Sequence, residues 1–192
     1  MKFDIILAGV GGQGGLSVSV VIARAAMAAG LQVKQSEVHG MSQRGGEVLA
    51  HLRISDRQIQ SPTISKGGAD LILAFEPLEA LRYVEWLSPE SGTVVTASTP
   101  IRNIPDYPAL EEILSEIRGL PRHRIIEADV IARAAGNPKA ANLVLVGASA
   151  DLLPIPPELL RDEIARLFAR KGEAVVQANE KAFAEGRRAF EQ

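Results

Sequence analysis

The apolar run Phe3-Asp4-Ile5-Ile6-Leu7-Ala8 opens the chain, and its near-continuous hydrophobicity predicts a buried strand. Glycines follow, and residues 16–29 then repeat apolar and small side chains at helical spacing, with Gly30 placed to end that helix. Leu31-Gln32-Val33 predicts a second strand. Residues 34–46 are poor in apolar side chains and read as an exposed loop. Val48, Ala50, Leu52 and Ile54 alternate with Leu49, His51, Arg53 and Ser55, the period of a strand with one mostly polar face. Asp56-Arg57 reads as a turn, with Gln58-Ile59-Gln60 returning from it.

Residues 70–75 form a second buried apolar run, followed by a helix over 78–87 and a breaker over 88–92. Thr93-Val94-Val95-Thr96 is a β-branched strand. Residues 99–108 hold three prolines and are irregular, 109–118 predict a short helix, and Arg124-Ile125-Ile126 a last strand. Residues 137–153 admit two readings. Leu143-Val144-Leu145-Val146 suits a strand, but the run is too long for one, and Ala140, Ala141, Ala148 and Ala150 favour a buried helix. Two helices close the chain, 158–170 and 173–190. Strands alternating with helices predict an α/β protein, a Rossmann-like open, mostly parallel sheet flanked by helices with a helical C-terminal segment. One domain is expected over 1–192, with an α/β core over 1–153 and C-terminal helices over 154–192.

Composition narrows the function. The 192 residues carry a net charge of −2, which argues against a large electrostatic grip on nucleic acid or acidic membranes. There is no cysteine, so disulfides, cysteine-ligated iron–sulfur clusters and thiolate catalysis have no ligand or nucleophile in this chain. The short apolar start resembles neither a signal peptide nor a membrane span, and a cytoplasmic location is expected.

Two stretches concentrate chemistry. Gly9, Gly11 and Gly14 meet G-x-G-x-x-G between a strand and a helix, within Gly9-Val10-Gly11-Gly12-Gln13-Gly14-Gly15. Such a turn presents a helix N-terminus to a ligand or partner, although this fold also uses tight turns that bind nothing. Glu37-Val38-His39-Gly40-Met41-Ser42-Gln43-Arg44-Gly45-Gly46 gathers an acid, an imidazole, an amide, a guanidinium and three glycines. The topology places it beside the glycine-rich turn at the carboxyl ends of the strands, where α/β sheets bind ligands. Arg44 beside Gly45 and Gly46 suits a phosphate or carboxylate. An ordinary solvated loop is the competing reading.

A dinucleotide site normally carries an acidic residue at the end of its second strand. Here that place falls near Lys34, Gln35 or Ser36, and Glu37 comes late, so NAD or FAD is disfavoured. No P-loop, nucleophile elbow or metal-spaced histidine set is present. His51 reads as structural. Glu76 reads equally as a cap on the following helix or as a contact with substrate or partner.

Together, the turn at 9–15, the stretch at 35–46 and Phe75-Glu76-Pro77-Leu78-Glu79-Ala80-Leu81-Arg82-Tyr83 resemble the gamma-type subunit of 2-oxoacid:ferredoxin oxidoreductases. The similarity covers nearly the whole chain, and its nearest branch is the beta (small) subunit of indolepyruvate ferredoxin oxidoreductase. The resemblance implies oxidative decarboxylation of a 2-oxoacid, with the acyl group passing to coenzyme A and electrons to ferredoxin. It implies that thiamine diphosphate, Mg2+ and the iron–sulfur clusters belong to a large (alpha) partner subunit, so that this chain binds no cofactor alone and is inactive alone. Ferredoxin would be met through the complex, and neither nucleic acid nor membrane is an implied partner. The glycine-rich loops would lie against the partner or line access for coenzyme A. No catalytic role follows for any single residue, and the candidate ligand or interface residues are Gly9, Gly11, Gly12, Gln13, Gly14, Glu37, His39, Gly40, Ser42, Gln43, Arg44, Gly45, Gly46 and Glu76. The alternative is a free-standing Rossmann-like nucleotide- or dinucleotide-binding protein.

Overall fold

The computed structural model describes residues 1–39 and 45–190, with His39 described by its backbone alone. Six strands form one sheet in the order β2-β3-β1-β4-β5-β6. They are β1 (Lys2–Val10), β2 (Gln32–His39), β3 (Glu47–Ser55), β4 (Leu71–Ala74), β5 (Thr93–Ala97) and β6 (His123–Ile126). β3 runs antiparallel to both β1 and β2, while β1, β4, β5 and β6 pair in parallel. Five strands therefore share one direction, and the mostly parallel sheet is observed with one reversed strand inside it.

The alternation along β1 divides the core. Ile5 and Leu7 join Leu52, Ile54, Leu71 and Leu73 on one face, where α1 (Gly15–Ala28), α4 (Ala128–Ala134), α5 (Ala141–Ser149), α6 (Pro157–Phe168) and α7 (Glu173–Phe190) contribute to the packing. Ile6, Ala8, Ile72 and Val94 face the opposite way, against α2 (Pro77–Arg82) and α3 (Leu110–Arg118). Leu160, Ile164, Ala182 and Phe183, from the last two helices, are buried in the same core as Ile5 and Leu7.

Several sequence expectations need correction. Residues 34–39 are not loop: β2 continues through His39, paired in register with β3 from Gln32↔Ser55 to His39↔Val48. β2 is an edge strand, so its polar side chains reach solvent and the strand lacks an apolar signature. Gln58-Ile59-Gln60 is not a strand. That segment is instead tied down by Lys34 Nζ donating to Gln60 O (3.2 Å) and by Arg53 donating to Ser61 O and Thr63 O (both 3.1 Å). The helix expected over 78–87 ends at Arg82 and gives way to a 3₁₀ turn, Val84–Trp86. The ambiguous run is helical, but α5 covers Ala141–Ser149 only and is preceded by a 3₁₀ turn at Pro138–Ala140. α4 was not expected at all, although Ala128 and Ala132, four apart and buried, carry its inner face.

At the amino end of the sheet, Arg53 grips the buried Asp4 through two nitrogens, at 2.9 and 3.0 Å, across the β1–β3 pair. Lys2 Nζ lies 2.8 Å from the same carboxylate, so a charge buried on a core strand is neutralised from two sides.

Candidate functional site

The carboxyl end of β1 leads into the glycine-rich turn. Gln13 organises that turn from within: its Oε1 accepts from Val10 N–H at 2.7 Å, and its Nε2 donates to Phe75 O at 2.9 Å. Gln13 N–H donates back to Val10 O at 3.1 Å, and Asn142 Nδ2 donates to Gln13 O at 2.5 Å. Gln13 was expected as a ligand candidate. Its amide is instead spent on the backbone, because the turn needs a donor and an acceptor at once and the amide offers them on two separate atoms.

Gly12 and Gly14 hold φ of 100° and 83°, a region that costs other residues steric strain. Gly14 is the N-cap of α1 and places no side chain over the helix N-terminus. A Cβ at Gly9 would lie 2.9 Å from Phe75 Cδ2, so the absence of a side chain there is what lets the ring sit under the turn.

The second stretch meets the first through main chain. Gly11 N–H donates to Gly46 O at 2.7 Å, Gly45 N–H donates to Gly11 O at 3.2 Å, and Asn103 Nδ2 donates to Gly45 O at 2.8 Å. The expected juxtaposition of the two glycine-rich segments is present, and its agent is the β2–β3 hairpin. Glu37 and His39 belong to β2 rather than to a loop. Gly40, Ser42, Gln43 and Arg44 lie outside the described residues.

A cavity of about 430 Å³ opens in front of this turn. Its wall includes Gly11, Gly12, Gly14, Leu16, Phe75 and Glu37, and Glu37 is its one ionisable group among the described residues. Glu37 reaches it because it pairs with Ala50, whose side chain faces the same side of the sheet as α1. Leu16, in the first turn of α1, lines the same cavity and is 52% exposed. Backbone glycine, one carboxylate, apolar side chains and the Ser19 hydroxyl, which donates to Leu16 O (3.0 Å) and accepts from Gln35 Nε2 (3.0 Å), make this a place to bind or dock.

Glu76 is the N-cap of α2. One carboxylate oxygen accepts from Glu79 N–H (2.9 Å), and the other accepts from Ile101 N–H (3.2 Å) and from the Tyr107 hydroxyl. The side chain is buried and fully engaged within the chain, so of its two readings the geometry gives the cap. Beside it, burial pushes the Glu79 carboxyl up, against the opposing pull of Arg82, and its Oε2 has no partner among the described residues. Burial, with Glu47 and Glu79 adding to it, raises the neighbouring Tyr83 hydroxyl to about 12. His51, read as structural, accepts at Nδ1 from Ile64 N–H at 3.2 Å.

Asn103, Tyr107 and Asn142 shape this edge without having stood out in sequence, and Phe75, legible only as part of a motif, carries a packing role that the motif did not assign. Asn142 joins it from 129 residues beyond Gln13, a distance no local pattern encodes.

A family model described as pyruvate ferredoxin/flavodoxin oxidoreductase matches residues 4–189. The chain belongs to this family. The indolepyruvate oxidoreductase subunit IorB of Archaeoglobus fulgidus is 45% identical over 158 residues, covering 77% of this chain and 75% of that protein. The IorB subunit of Pyrococcus horikoshii is 37% identical over 194 residues, covering 95% and 93%. Among solved structures, the 2-oxoglutarate:ferredoxin oxidoreductase of Magnetococcus marinus, with 2-oxoglutarate, coenzyme A and succinyl-CoA bound, has the same fold at 23% identity and a TM-score of 0.79. That alignment covers 99% of this chain but 31% of that one. This family member is thus a subunit of a 2-oxoacid:ferredoxin oxidoreductase, an oxidoreductase component and not a free-standing Rossmann-like binder. Its relatives are subunits of multi-subunit enzymes, and among its described residues no helix is long and apolar enough to cross a membrane.

The cofactors of such enzymes can be tested against this chain. It has no cysteine to hold an iron–sulfur cluster. Among the described residues, no three His, Asp or Glu side chains are grouped to hold a metal ion. These residues therefore do not fit either group, and no electron-transfer step is assigned to them.

Proposed function

We propose that this chain is the small subunit of an arylpyruvate oxidoreductase of the indolepyruvate type, working in the cytoplasm. The complex decarboxylates the 2-oxoacid oxidatively, passes the acyl group to coenzyme A and hands the electrons to ferredoxin. The observation that carries the substrate class is the 45% identity to an indolepyruvate oxidoreductase subunit. Thiamine diphosphate, Mg2+ and the iron–sulfur clusters reside on a large partner subunit, consistent with a chain that offers no cysteine.

The glycine-rich turn and the base of the β2–β3 hairpin form the edge offered to that partner and to the coenzyme A path. Two features support this. The turn's own hydrogen bonds are satisfied internally by Gln13, so the edge is pre-organised before anything docks. Leu16 stands exposed at the cavity, an apolar group that a partner surface would cover. Arg44, outside the described residues, remains the candidate on sequence grounds for a charge-assisted contact there.

A tagged copy of this chain, expressed in its own cell and recovered without crosslinking, tests the reading. A large cysteine-rich partner should come with it in equal amount, together with iron. Recovery of the chain alone, with neither partner nor iron, would overturn the proposal.

A further inference from the structure

The proline-rich segment 98–108 leaves β5 and crosses the carboxyl edge of the sheet. It starts beside β6, where Ser98 N–H donates to Ile126 O at 2.9 Å. Past the end of β4 it is held by Glu76, which accepts from Ile101 N–H at 3.2 Å and from the Tyr107 hydroxyl. It reaches the start of β3 through Asn103, whose Nδ2 donates to Gly45 O at 2.8 Å. β4 and β1 stand between β5 and β3, so the segment is a strap across the ends of both. The helices that follow β1 and β4, α1 and α2, take opposite faces of the sheet, and open α/β sheets take ligands at such a point.

The part of the edge that the strap reaches is built of glycine. Gly12 and Gly45 hold φ of 100° and 80°, and a Cβ on either would meet no described atom within 4 Å, so neither is wedged in place by packing. Glycine backbone is conformationally permissive, and hydrogen bonds must define this wall instead. Gln13 holds one side of it, through Val10 and Phe75. On the other side both backbone groups of Gly11 are committed to the hairpin base, its N–H to Gly46 O and its C=O to Gly45 N–H. Asn103 grips Gly45 in turn, from 58 residues away in sequence. Gly11 belongs to the wall of the cavity of about 430 Å³. The Asn103–Gly45 bond is exposed, so water replaces it at little cost to the fold, and its value is positional.

We propose that Asn103 and Tyr107 are positioning residues for coenzyme A. Tyr107 pins the strap to Glu76, Asn103 carries that anchorage to Gly45, and Gly45 sets where Gly11 stands in the cavity wall. The inference rests on the reading that this edge lines the coenzyme A path. Neither residue touches the reacting atoms, which under the same reading lie with thiamine diphosphate on the large subunit. Freeing the strap therefore loosens the coenzyme A site and leaves decarboxylation as it was.

Complexes reconstituted from the large subunit and wild-type chain, Asn103→Ala, Asn103→Gln or Tyr107→Phe test this. Ferredoxin reduction is followed at varied coenzyme A, indolepyruvate and subunit concentrations. Asn103→Ala should raise the KM for coenzyme A about fivefold or more with kcat within about twofold of wild type, the pattern of binding lost equally from ground and transition states. The KM for indolepyruvate and the amount of this chain needed for half-maximal activity should not move. Asn103→Gln keeps the amide donor on a longer arm and should return part of the loss. Tyr107→Phe, at the other end of the strap, should raise the same constant in a chain that still melts cooperatively. An unchanged KM for coenzyme A in Asn103→Ala or in Tyr107→Phe, or a raised subunit requirement in its place, would overturn the proposal. A wild-type mixture that reduces no ferredoxin would overturn the proposed function and, with it, this assignment.

Discussion

Gln13 shows how one side chain can fix a functional edge. Its amide closes the glycine-rich turn on Val10 and ties it to Phe75 at the end of the neighbouring strand. Gln13→Ala should cost about 1–3 kcal/mol, because a buried backbone donor and acceptor lose their partner together. The shift in urea midpoint at unchanged slope measures it. His51 sets a pH dependence on the other face. Burial, with the Arg53 charge adding to it and Asp4 opposing it, holds its pKa below 6.5. The folded chain therefore binds fewer protons at this site than the unfolded one. The resulting stability is present above 6.5 and is lost as pH falls through the lowered folded value. Protonation also removes the lone pair that Ile64 N–H uses. Unfolding curves of wild type and His51→Gln, taken at several pH values, should draw together as the solution is acidified. A constant gap would show that His51 does not titrate with unfolding.

At the level of elements, the crossing of α5 and α7 is built on glycine. A Cβ on Gly147 would fall 2.0 Å from Phe183 O, and one on Gly186 would fall 2.0 Å from Val144 O. The helices touch backbone to backbone, so the obstruction is main chain and cannot swing aside. Gly147→Ala or Gly186→Ala should therefore destabilise by about 3 kcal/mol or more, the upper end for overpacking, read as a fall in thermal midpoint. The same crossing marks what could be read in advance. The helix from Glu173 to Phe190 was legible because its apolar residues keep a helical period, whereas its glycine contact with α5 depends on two segments remote in sequence. β1, β3 and β5 were legible for the same reason, through alternation or unbroken apolar runs. β2 was legible only at its start, Gln32-Val33, because beyond Val33 the exposed Lys34 and Gln35 carry no apolar pattern to mark the strand's continuation to His39. At the candidate site, the meeting of the two glycine-rich segments was legible from topology. The duties of Gln13 and Glu76 were not, because an amide or carboxylate suited to a ligand is equally suited to a backbone group.

For the whole molecule, the glycine-rich turn, the hairpin base and the cavity before them share the carboxyl edge of one sheet. The last two helices are seated in the core beneath that sheet, with Leu160, Ile164, Ala182 and Phe183 buried against it. Such a surface is suited to binding and positioning, and under the proposed function the redox chemistry falls to a partner able to hold metal and thiamine diphosphate. Reconstitution tests this division most directly. Purified chain, purified large subunit and their mixture are each supplied with indolepyruvate, coenzyme A and ferredoxin, and ferredoxin reduction is followed by its absorbance. Reduction should appear in the mixture alone and stop when coenzyme A is withheld. Reduction by the large subunit at an equal rate without this chain, or by this chain without the large subunit, would contradict the account.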